Sequence, residues 1–191
     1  MILLFAIAAG LLAGFGWAGW RGHPYRPPAL RYFWLVFLAF LPQFLTIYLP
    51  SVREHTPDWM AATSLIASQT LLLVFALLNR RLPGMPILVA GAVLNLTVIA
   101  ANGGFMPISP DTAGQLVPQE IVQDIGTGSR FGTKDILLPP QETRFEWLAD
   151  RFLTPGWFRY QAAFSLGDVF IAIGVLWLLA YQGAPNPNRG I

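Results

Sequence analysis

Long uncharged apolar runs dominate this sequence and leave it few ways to fold. A helix needs about 20 apolar residues to cross a hydrocarbon core of about 30 Å. Five stretches meet or approach that length: residues 1–20, 32–49, 59–78, 86–102 and 157–181. The first four carry no charged side chain, and the fifth holds Arg159 near its start and Asp168 further in. Charged residues make up only 12% of the chain, about half the usual share for a soluble domain. This excludes a disordered chain, a nucleic-acid-binding surface and an ordinary soluble enzyme. The expected fold is an all-α integral membrane protein: a single membrane domain over residues 1–191, with five transmembrane helices. Residues 103–156 form a partly helical extracytoplasmic cap between helices 4 and 5. The first run has no basic segment before it and Arg21 after it, so it reads as a retained anchor rather than a cleaved signal.

The sorting of charge gives an orientation. The segments 21–31, 79–84 and 182–191 carry Arg21, Arg26, Arg31, Arg80, Arg81 and Arg189 and no acid. All ten acidic residues fall on the other half, with the six remaining basic ones. Lys and Arg next to spans stay in the cytoplasm, so the N-terminus is expected outside, the C-terminus inside and the long connection outside. Trp17, Trp20, Trp34, Trp177 and Tyr181 then mark inner boundaries, and Tyr48, Trp59, Trp157 and Tyr160 outer ones.

Apolar contact gives little net drive between helices in lipid, so small and polar residues mark where helices meet. Gly10 and Gly14 form a G-x-x-x-G, and Ala163 and Gly167 repeat its spacing. Gly91, Asn95 and Asn102 lie on one stripe of the fourth span, interrupted by Val98, and Ser64 and Ser68 share a face of the third. Pro42 predicts a kink in the second span. In the outer segment, Ser109-Pro110 has the form of a helix start. Thr143-x-x-Glu146 has the form of a capping box, opening an amphipathic helix with Phe145, Leu148, Ala149 and Phe152 on one face. Gly126 to Arg130 and Phe131-Gly132-Thr133 read as turns.

Two strings stand out: Asn102-Gly103-Gly104-Phe105-Met106-Pro107 and Ser165-Leu166-Gly167-Asp168. With Leu148-Ala149-Asp150-Arg151 between them, they resemble an uncharacterised family of small bacterial multi-pass membrane proteins, a domain of unknown function. The resemblance runs from about Arg80 to Leu178. It implies the bacterial cytoplasmic membrane and carries no activity with it.

Both strings can also be read locally. Asn-Gly-Gly before a proline is a helix stop, and Ser165-x-x-Asp168 is a capping-box variant. Counting back from Tyr181 places Asp168 about 10 Å below the outer surface, and Asn102 falls at a similar level. An ionised carboxylate there costs at least about 2.5–3.5 kcal/mol unless it is paired or hydrated. The expectation is that a helix starts near Ser165 and that Asp168 meets the Asn-Gly-Gly turn at the floor of an outward-facing polar pocket. The ligand-binding candidates are Asn95, Asn102, Gly103, Gly104, Met106, Ser165 and Asp168.

No catalytic residue and no metal ligand is nominated. There is no cysteine, and His23 and His55 stand 32 residues apart in separate loops. No hydrolase triad, zinc motif, phosphate loop or dinucleotide fingerprint is present, and no cofactor is expected. The partners expected are membrane lipids, with a second copy of the chain or another membrane protein beside them, and no nucleic acid. Two functional readings lead, ahead of a membrane-embedded enzyme using Asp168 as acid or base, which lacks a second catalytic group. One is a non-enzymatic accessory, scaffold or sensing subunit. The other is a small oligomeric transporter or carrier of a lipid or small molecule, working at Asp168 and Asn102.

Overall fold

A computed structural model describes residues 2–53, 55–156, 158 and 161–181. The expected Trp157 and Tyr160 boundary markers, Arg159, Arg189 and the rest of the tail lie outside these residues. The protein is mostly helical, and two of its helices are long and apolar enough to cross a membrane: α1 (Ile2–Trp20) and α4 (Asp58–Leu78). Three shorter apolar helices accompany them: α2 (Trp34–Gln43, continued by a π-helical turn Phe44–Tyr48), α5 (Met85–Ala101) and α8 (Leu166–Ala180). A short α3 (Pro50–Arg53) links the π turn to α4. Proline at position 42 cannot donate a ladder bond. The widened turn follows it directly, with the Thr46 hydroxyl donating to the Pro42 carbonyl at 2.8 Å.

The main helix contacts run α1 to α8, α8 to α5, α5 to α4 and α4 to α2. Glycines set the closest of these. A Cβ on Gly91 would lie 2.5 Å from the Gly167 carbonyl, and one on Gly174 would lie 2.8 Å from the Gly84 carbonyl. A seven-residue repeat on each of the facing helices α5 and α8 therefore brings backbone against backbone. Gly10 of α1 meets the Leu176 backbone, and Gly14 is filled by Tyr25, whose hydroxyl donates to the Leu179 carbonyl at 3.1 Å. Ser68 is buried and donates to the Ala39 carbonyl, joining α4 to α2.

The segment between α5 and α8 departs from an all-α reading. It contains β1 (Met106–Ile108), α6 (Pro110–Ala113), α7 (Gln119–Ile125), β2 (Arg130–Phe131), β3 (Asp135–Leu137), β4 (Phe152–Leu153) and β5 (Ala163–Phe164). Strand β3 is central, parallel to β1 and antiparallel to β2, while β4 and β5 form a separate antiparallel pair. Phe105, Met106 and Leu148 pack with Ile47, Ala61, Ala62, Leu65, Val98 and Ile99, so this cap shares one apolar core with the ends of α4 and α5. Ser109 caps α6 as its sequence suggests, its Oγ accepting from the Thr112 N–H at 3.1 Å.

Three local expectations are corrected. Thr143-x-x-Glu146 does not open a helix: Thr143 donates back to the Pro139 carbonyl at 3.0 Å, Phe145 is left-handed, and one 3-10 turn (Glu146–Leu148) gives way to β4. The fifth span, expected over 157–181, is helical only from Leu166, the start that the Ser165 cap signal predicts, because residues 163 and 164 pair with β4. Ala163 therefore lies in a strand and shares no helix face with Gly167.

Candidate functional site

Helix α8 starts with a reciprocal cap. The Ser165 Oγ accepts from the Asp168 N–H and an Asp168 oxygen accepts from the Ser165 N–H, both at 3.1 Å. This satisfies two donors that a helix start leaves open and puts an acid at the positive end of the dipole. Asn95 of α5 completes the arrangement. Its Nδ2 donates to the other Asp168 oxygen at 2.8 Å, and its Oδ1 accepts from the fully buried Ser165 hydroxyl at 2.9 Å. Glycine at 167 makes the approach feasible, since a Cβ there would sit 2.0 Å from the Asn95 Oδ1. Both Asp168 oxygens are thus committed to protein donors. Three of the seven nominated residues (Asn95, Ser165 and Asp168) form this joint between α5 and α8.

The other four are elsewhere. Asp168 does not meet the Asn-Gly-Gly turn. Asn102 caps the end of α5 and clamps the cap: its Oδ1 accepts from the Arg144 N–H and its Nδ2 donates to the Arg144 carbonyl, both at 2.9 Å. Gly103 and Gly104 have φ of +74° and +90°. The Gly104 N–H reaches the Ile99 carbonyl at 2.9 Å, which is how a left-handed helix stop recovers a terminal carbonyl. A Cβ on Gly104 would fall 2.5 Å from that of Ala62. Met106 is buried in β1. The stripe reading fails because Asn95 faces α8 whereas Asn102, at the frayed end of α5, turns to the cap. A clamp of the same kind was not anticipated at Asn79, the C-cap of α4. It accepts from the Arg31 N–H at 2.7 Å and donates to the Arg31 carbonyl at 3.0 Å.

Above the joint lies a charged cluster that the sequence reading did not nominate. Lys134 donates to Asp150 at 2.5 Å and to Asp135 at 3.0 Å. Asp150 is buried, with one carboxylate oxygen lacking a partner among the described residues. Burial pushes Asp150 up to about 7; Lys134 opposes this, and Asp135 and Asp168 add to it by repulsion. Burial likewise raises Asp135. Desolvation works against the Lys134 ammonium, but Asp135, Asp150 and Asp168 outweigh it and hold its pKa above the ordinary lysine value. Asp150 also lines a cleft of about 180 Å³ with Ser109, Thr112, Thr143, Glu146 and Arg151. One sequence signal could have found the cluster: Lys134 is the only lysine in the chain, against eleven arginines. Among the described residues, no group of three or more His, Cys, Asp or Glu side chains could hold a metal ion.

A row of apolar helices, joined by buried polar clamps and closed at one end by a small mixed cap, defines the class. The chain belongs to a family of unknown function, DUF5317, whose family model matches residues 28–180. No curated protein and no solved structure matches it.

Proposed function

We propose that this protein is a five-helix integral protein of the bacterial cytoplasmic membrane, acting as a non-enzymatic scaffold or sensing subunit that presents a rigid cap outside. The observation that carries this reading is the surface of the helices. Leu4, Leu12, Phe15, Phe37, Phe40 and Ile173 are all exposed, forming apolar surface far beyond what a water-soluble monomer of this size displays. The charges sit at the two ends. Asp58 and Arg130 pair at the cap end of α4, while Arg80 and Arg81 follow the far end of this 21-residue helix. The positive-inside bias then favours the cap outside and both the α1–α2 loop and the α4–α5 turn inside.

The scaffold reading is favoured over a carrier at Asp168 because that carboxylate is already bonded through both oxygens and Asn102 is held by the cap. The test is native mass spectrometry of the protein purified in mild detergent from its own membrane. A protein partner at fixed stoichiometry is expected. A single tightly held small solute, lost on Asp168→Asn, would instead establish the carrier.

A further inference from the structure

The end of the bundle away from the cap concentrates positive charge in one place. Asn79 grips the backbone of Arg31 and so fixes the α1–α2 loop against the α4–α5 turn. This sets Arg31 beside Arg80 and Arg81, around two adjoining clefts of about 210 and 250 Å³. Arg31, Leu78 and Arg81 line both; Leu82 lines one, and Leu77 and Arg80 line the other. All three arginines are exposed, and among the described residues none of them makes an ion pair. No acid occurs in residues 1–53 or 59–110, so neither connecting segment supplies a counter-charge. Three like charges held together this way create a local positive field that attracts an anion.

The floor of the clefts identifies the anion. Leu77 and Leu78 are exposed beside the guanidinium groups, giving a cationic rim over an apolar wall. Guanidinium groups bind phosphate oxygens in a bidentate fashion, and the leucines offer a surface that a hydrated free phosphate would not use. We propose that Arg31, Arg80 and Arg81 form the headgroup site of one acidic phospholipid, with its phosphate between the guanidinium groups and its acyl chains against Leu77, Leu78 and Leu82. This rests on the membrane reading above and adds a specific site to it.

The protein is reconstituted in bilayer discs of phosphatidylcholine, alone or doped with phosphatidylglycerol, and the lipid retained after extraction is counted by native mass spectrometry. The wild type is expected to keep one phosphatidylglycerol. Each arginine near such a surface contributes about fivefold in affinity, so R31Q/R80Q/R81Q should lose about 100-fold. R21Q, whose guanidinium lies over Trp17 at 4.7 Å, should lose no more than about fivefold. Melting curves check that the variants fold. Equal retention by the triple variant overturns the proposal. Displacement by inorganic phosphate as readily as by the lipid also overturns it, in favour of a free-anion site. Insertion without preference for the acidic lipid refutes the site and spares the membrane reading, whereas failure to insert refutes both.

Discussion

Replacing Asn95 tests the joint between α5 and α8 most sharply. Asn95→Ala removes a bond to a carboxylate oxygen, about 1.5–3 kcal/mol, and one from a hydroxyl, about 0.5–1.5 kcal/mol. It also leaves the Ser165 hydroxyl without its acceptor in a fully buried position. Interhelical bonds in membranes average only about 0.6 kcal/mol, because the separated helices find other partners. Here Asp168 and Ser165 are already fixed by their mutual cap, which limits such replacement. The expected loss is therefore about 2–4 kcal/mol. Asn95→Asp keeps the shape but replaces the Nδ2 donor with an acceptor facing the Asp168 acceptor, so it should cost at least as much as Asn95→Ala. The assay is SDS-driven unfolding in mixed micelles, read by the fluorescence of the seven tryptophans and by circular dichroism. A cycle with Asp168→Asn should show coupling above about 0.5 kcal/mol. A loss of less than about 0.5 kcal/mol for Asn95→Ala, or strict additivity in the cycle, would refute the reasoning.

Other changes probe the remaining contacts. Gly167→Ala places a Cβ 2.0 Å from the Asn95 Oδ1 and 2.8 Å from the Gly91 carbonyl. It should cost about 1–3 kcal/mol in the same unfolding assay, while Gly16→Ala, with nothing within 4 Å, should be neutral or slightly stabilising. Asn102→Ala releases the Arg144 backbone and should make the cap open to trypsin at Arg144 and Arg151 in limited proteolysis, with the helices still intact. Asp150, raised to about 7 by burial, binds its proton more tightly in the folded chain than in the unfolded one. Its contribution to stability therefore falls as the pH rises from about 4 to about 7, and Asp150→Asn should flatten that part of the stability–pH profile.

Much of the helical frame was legible because apolar length and glycine spacing are local properties. The stop at Asn102-Gly103-Gly104 and the cap at Ser165 and Asp168 could be read from residue type and order alone. What they touch could not, because partner choice depends on how far each helix is rotated and where it ends. The α8 start at Leu166 turned Asp168 toward Asn95, a residue 73 positions away in sequence. The cap was the least legible part. Its strands are two or three residues long, too short for an alternating pattern, and the Thr143 bond back to Pro139 and the left-handed Phe145 overrode the helix signal at Thr143 and Glu146. The cluster at Lys134 joins residues 16 positions apart and was foreshadowed by the rarity of lysine in the chain and by Asp150 in the string between the two signatures.

The central claim is that the cap and the arginine-rich turns lie on opposite sides of a membrane. The chain has no cysteine, so single cysteines report without background. His23→Cys samples the α1–α2 loop and Glu142→Cys the cap, both at exposed positions. In intact cells with the outer barrier removed, an impermeant maleimide should label Glu142→Cys at once and His23→Cys only after the membrane is permeabilised. Labelling of both positions before permeabilisation, or of His23→Cys alone, would contradict the account.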